Sequence, residues 1–225
     1  MPRRIRTHRH GLAAIFLVGF AATIGGCTTA GYAIQERFGV EKRDILVNRV
    51  EDVASAQGEA KEEFANALEA FRSVVAVDGG DLEDNYDRLS KAYDRSEGRA
   101  DEVRDRVKSV NRVATDLFSE WESELGQYSD PGLRRASKTQ LDETKARYET
   151  LLEKMNAATA SMDPVLSVFN DRVLFLKHNL NARAIAAIGA ESQDLETDVA
   201  RLISDMERSI AEADAFIAEF KGANA

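Results

Sequence analysis

One thiol is available for chemistry in this 225-residue chain, Cys27, and its surroundings are distinctive. Ile24, Gly25 and Gly26 precede it, an aliphatic residue followed by two of the smallest. Ahead of these lie the basic start Arg3, Arg4, Arg6 and Arg9 and the apolar run from Leu12 to Ala22. Basic residues, an apolar stretch and small residues before a cut are the parts of an export signal. The apolar stretch from Gly11 to Ile24 is 14 residues long, against about 20 needed to cross a bilayer. It therefore reads as a cleaved leader, not a membrane helix. With one cysteine, an exported chain has no internal disulfide to make, and acylation of the thiol would account for it.

Elsewhere the residue types that usually carry reactions do not assemble into a pattern. His8 and His10 belong to the leader, so His178 is the one histidine left after the cut. It sits in Leu176-Lys177-His178-Asn179-Leu180-Asn181, flanked by amphipathic sequence, where a partly exposed helix end is the simplest reading. No Gly-rich phosphate loop, paired Cys/His set or G-x-S-x-G elbow occurs. Asp78-Gly79-Gly80-Asp81 lacks the alternating oxygen ligands and distal Glu of a calcium loop, and reads as a helix turn. No catalytic, cofactor or metal residue is assigned. An enzyme using carboxylates and His178 stays the weakest of the readings.

The stretch Ile24-Gly25-Gly26-Cys27 resembles the lipobox of bacterial lipoproteins. That resemblance implies that Cys27 becomes the acylated N-terminus and that all later residues hang from a membrane. Several acyl chains anchor firmly, each buried methylene being worth about 0.8 kcal/mol. Thr28 stands where inner-membrane lipoproteins often carry Asp, which points to the periplasmic face of the outer membrane rather than the inner membrane. The expected organisation is a signal over 1–26, a lipid-anchored tether over 27–35 and a helical body over 36–221.

Loss of the four leader arginines takes the formal charge from −9 to −13. Such acidity opposes nucleic-acid binding, which neutralises phosphates with Lys and Arg, and broad attraction to anionic lipid. Apolar residues then recur at alternating threes and fours: Leu46, Val50, Val53, Gln57, Ala60, Phe64, Ala67, Phe71, Val74 on one stripe. A second runs from Leu82 through Val103 and Trp121 to Tyr128, with Glu102 and Arg106 spaced to pair. A third resumes after Asp130-Pro131, an N-cap followed by proline at the first helical position. The expected helices are 36–77, 82–128, 131–188 kinked near Pro164, and 191–221. Short connections require antiparallel neighbours. The fold class is all-α, an elongated antiparallel bundle or coiled coil of three to four long helices. The last stripe, with Leu195, Val199, Leu202 and Met206, is too apolar to stay in water, so folding back at Gly189 is preferred over a continuous rod. Arg172, Lys177 and Arg183 stand in a stretch without acids, while residues 191–221 hold nine acids; opposite signs favour docking of one on the other, within the chain or between copies.

The runs Glu41–Glu51, Ala56–Phe64, Leu133–Ser137 and Val173–Ala182 resemble the bacterial domain of unknown function 2959 family, exported coiled-coil proteins of mainly Gram-negative bacteria. The resemblance implies an envelope location and a helical build, and it carries no site residues. The expected function is a lipid-anchored periplasmic scaffold, spacer or docking protein without catalytic activity. Its partners would be the membrane, through acyl chains, and another protein or a second copy. The alternative is a bundle that handles lipid or a small ligand in a core opening around Met155, Met162, Phe169 and Phe175.

Overall fold

The computed structural model describes residues 42–76, 82–189 and 192–222. The expected leader, Cys27, the expected tether and the expected turn at Asp78–Asp81 lie outside them. The body is an all-α antiparallel bundle of α1 (Lys42–Val75), α2 (Leu82–Glu124), α3 (Pro131–Ala160), α4 (Met162–His178), α5 (Ala182–Gly189) and α6 (Ser192–Gly222). At 1.5 Å per residue, α1 and α2 are about 50 and 65 Å long.

Four stems make the bundle, because α3 and α4 follow each other along the same two neighbours, α2 and α6. Ion pairs give the direction of each seam. Glu59 with Arg99 (2.7 Å), Glu63 with Arg95 (2.9 Å) and Lys42 with Glu120 (2.8 Å) set α2 antiparallel to α1. Glu51 with Lys221 (2.7 Å), Lys61 with Glu207 (3.3 Å) and Arg72 with Glu196 (2.8 Å) do the same for α6. The last stripe thus folds back and closes the ring between α1 and α3. Exposed pairs of this kind contribute little energy each. The stability comes from the stripes they border, where Phe64, Phe71, Phe169, Leu151, Met155, Leu202 and Met206 are buried completely.

Several boundaries depart from the expected ones. The second helix ends at Glu124 in a short 3-10 turn, Leu125–Gln127, not at Tyr128. Trp121 lies by the start of α1, with the Arg43 guanidinium 5.9 Å from its ring centre, and Tyr128 is exposed. The third stretch is not one kinked helix over 131–188. It breaks at Ser161, three residues before Pro164, whose ring would collide with the Ala160 carbonyl in a continuous helix. Ser161 caps the end of α3 instead, its N–H donating to the Ala157 carbonyl (3.0 Å) and its hydroxyl to that of Ala158 (3.0 Å). Asp163, the residue before the proline, pairs with Arg104 of α2. A second break follows at Asn179–Asn181. Asn181 then caps α5, accepting from the Ala184 N–H (3.1 Å). The expected start of α3 holds, with Asp130 accepting from the N–H groups of Gly132 (2.6 Å) and Leu133 (2.9 Å).

α5 packs on α1 through Gly189, where a Cβ would stand 2.8 Å from Val75 Cγ1. That closeness fixes the far corner of the bundle. A different economy operates at Gln57, which lies on the α1 stripe and is fully buried, with neither amide atom bonded. Leaving buried polar atoms unpaired costs about 1–3 kcal/mol. Gln57→Met, similar in volume and without those atoms, is expected to raise the urea midpoint by a stability gain in that range. A lower midpoint would mean that the amide does bind something in the folded protein.

Candidate functional site

The α4 sequence places Met162, Val165, Leu166, Phe169, Val173 and Leu176 on the buried face. At 100° per residue, this turns Leu174 and Phe175 outward. They are 49% and 41% exposed, and Leu180, just past the helix, is 36% exposed. Lys177, His178 and Arg183 are exposed beside them. Among the described residues none of these three makes an ion pair, and no acid occurs between Arg172 and Gly189. An apolar, basic surface therefore stands at the end of α4. Contiguous exposed apolar residues rimmed by charge mark interaction surfaces.

The outer face of the stem leading to this surface is unusual as well. From Met155 to Asn170 the sole charged residue is Asp163, and the exposed positions include Ala157, Ala160, Pro164 and Ser167. On α2, by contrast, the exposed positions include Asp84, Asp87, Lys91, Asp94, Asp101 and Asp105.

Three acids of α6 pair with α1 and α3. Glu196 and Glu207 pair with Arg72 and Lys61 of α1, and Glu219 with Arg147 of α3. Arg72 holds the Glu196 carboxyl below the usual range through a direct hydrogen bond. Glu102 is likewise lowered, by hydrogen bonds from Arg106 and Arg99. These carboxylates stabilise the fold above their unfolded pKa, and that contribution fades as pH falls through the depressed value.

Tyr148 acts in the opposite pH range. It is 6% exposed, lies edge-on to Phe118 with ring centres 5.5 Å apart, and donates to Asn111 Oδ1 at 2.9 Å. Burial pushes its pKa up to about 12. The unfolded value is about 10, so its contribution is complete below pH 10 and is lost as pH rises through 12. The loss is on the order of 2–3 kcal/mol, at about 1.4 kcal/mol per unit. Urea unfolding at pH 8 and above pH 11 should show a smaller alkaline loss in Tyr148→Phe than in the parent. Equal losses would remove Tyr148 as the cause.

Surface clefts of about 150, 290, 400 and 420 Å³ border the seams. The largest, between α2 and α3, is lined by Phe118, Lys145 and Tyr148 among others. Met155, Met162 and Phe169 are buried in packed seams while Phe175 faces out, so these four do not converge on one cavity. Among the described residues there is no group of three metal-ligating side chains and no helix long and apolar enough to cross a membrane. Cys27, Ile24, Gly25 and Gly26 lie outside the described residues.

Residues 31–220 match the family described as a protein of unknown function, DUF2959. The chain belongs to the DUF2959 family. The match spans nearly the entire helical body, so the bundle is the fold of this DUF2959 member. No curated protein and no solved structure matches the chain. Leu174 and Phe175 escaped the sequence reading as surface residues. The available signal was their position off the 169–173–176 stripe.

Proposed function

We propose that this DUF2959 protein is a lipid-anchored, non-enzymatic docking protein at the periplasmic face of the outer membrane, with the Leu174–Phe175 surface as its point of contact. The exposed apolar and basic end of α4 carries this reading, because such a surface loses free energy only when something covers it. Its position supports the spacer role. α1 starts at Lys42, and α4 ends beside the opposite end of α1, about 50 Å away by the length of α1. Acylation at Cys27, after Ile24-Gly25-Gly26, supplies the tether to the membrane.

The test is a photo-reactive amino acid placed in living cells at Phe175 and, as control, at Lys108 on the charged face of α2. A discrete crosslinked product from position 175, absent from 108, is expected. Equal diffuse labelling from both positions would remove α4 as a docking surface.

A further inference from the structure

The outer stripe of the α3–α4 stem reads, in order, Glu149, Glu153, Ala157, Ala160, Pro164, Ser167, Asp171, Leu174 with Phe175, and His178, all exposed. Steps of three and four keep these residues on one face through the break at Ser161. Over about 45 Å the stripe changes from acidic, to small, to large and apolar, with Lys177 and Arg183 flanking its far end. This order is self-complementary. If two such stripes run antiparallel about a two-fold axis between Pro164 and Ser167, each Leu174 falls opposite Ala157 of the other copy. Asp171 then falls opposite Ala160, and Glu153 opposite His178 beside Lys177.

We infer that the surface over α4 is covered by a second copy of this chain, packed antiparallel along the α3–α4 stem. Three features of the surface choose that occupant. Large side chains at one end match small ones at the other, so knobs meet room on both sides of the axis. Acids at one end match cations at the other, and two-fold symmetry makes that match twice. The middle is nearly free of charge, as the core of an interface is. On the stripe itself Asp171 is the one charge between Glu153 and His178, and its removal should tighten the pair.

The inference rests on the docking reading and names its partner. The full-length protein isolated from expressing cells, in density-matched detergent, should sediment as a dimer at micromolar concentration. Phe175→Asp should keep its helical circular dichroism and weaken the dimer about tenfold or more, while Asp171→Ala strengthens it. Two charge variants test the register. Glu149→Lys with Glu153→Lys makes both ends basic, and Lys177→Glu with Arg183→Glu makes both acidic. Each should be monomeric alone, and the two mixed should form a heterodimer. A monomeric parent, a dimer indifferent to Phe175→Asp, or a mixture that stays monomeric each overturns the inference. A monomeric parent that still yields a position-175 crosslink to another protein overturns self-pairing and leaves the docking reading standing. No crosslink of either kind removes both.

Discussion

Phe64→Ala lowers the unfolding free energy by about 3–5 kcal/mol, the usual cost of emptying a phenylalanine site in a packed core. Phe64 has no exposed surface and sits where three helices meet. The Ser96 hydroxyl of α2 donates to the carbonyl of neighbouring Glu63 (3.2 Å), and Lys61 one turn earlier bonds Glu207 of α6 (3.3 Å). Packed helices on both sides only partly refill the space left behind, so both the transfer and the cavity contributions apply. Leu133, 60% exposed at the start of α3, is the control: Leu133→Ala should change stability by no more than about 0.5 kcal/mol. Denaturant midpoints with an unchanged slope would measure both. A Phe64→Ala loss below that of the control would mean that the three-helix seam is not where the bundle is held.

Cys27→Ala moves the protein out of the membrane fraction almost completely. One fourteen-carbon chain gives a membrane association constant of only about 10⁴ M⁻¹, and firm anchoring needs a second signal. The proposed anchor therefore depends on several acyl chains at one sulfur and its new N-terminus. The described helices offer no spanning segment in compensation. Mass spectrometry of the parent should show a chain beginning at Cys27 with added acyl mass, and blocking the lipoprotein signal peptidase should leave the longer precursor. An unmodified parent, or a Cys27→Ala protein that fractionates with membranes as before, contradicts the anchor. Helical circular dichroism should be the same in both, because the substitution lies 15 residues ahead of α1.

Features written within a few residues were readable directly. Asp130 and Pro131 start α3 because one side chain and one ring satisfy the first turn by themselves. Glu102 and Arg106 bond at 2.6 Å because one helical turn brings them together. Pro164 announced an interruption, since a missing donor and a ring clash are local facts; its displacement to Ser161 depended on hydroxyl and backbone bonds that the sequence did not single out. The family resemblance likewise rested on contiguous runs, and the match over 31–220 agrees with it.

Other outcomes depended on distant parts of the chain. The uninterrupted phase from Leu176 to Leu195 would have suited a continuous rod, yet α4 stops at His178, α5 spans Ala182–Gly189 and α6 starts at Ser192. Folding back is decided by the open faces of α1 and α3, which bury Leu195, Val199, Leu202 and Met206. Leu180 continues the stripe in sequence but is exposed, because the helix has already ended. Gln57 shares its stripe with valines and phenylalanines, and only the seam closing over it makes its amide costly.

By itself the sequence determined the helical class, the Asp130–Pro131 start of α3 and which residues share a face, because each depends on bonds or spacing within a turn or two. Only the tertiary structure decided the order of the stems around the bundle, the seat of α6 between α1 and α3, and the outward turn of Leu174 and Phe175. Periodicity marks a face as apolar without naming its neighbour. The neighbour is chosen by burying the most apolar surface over the whole chain at once.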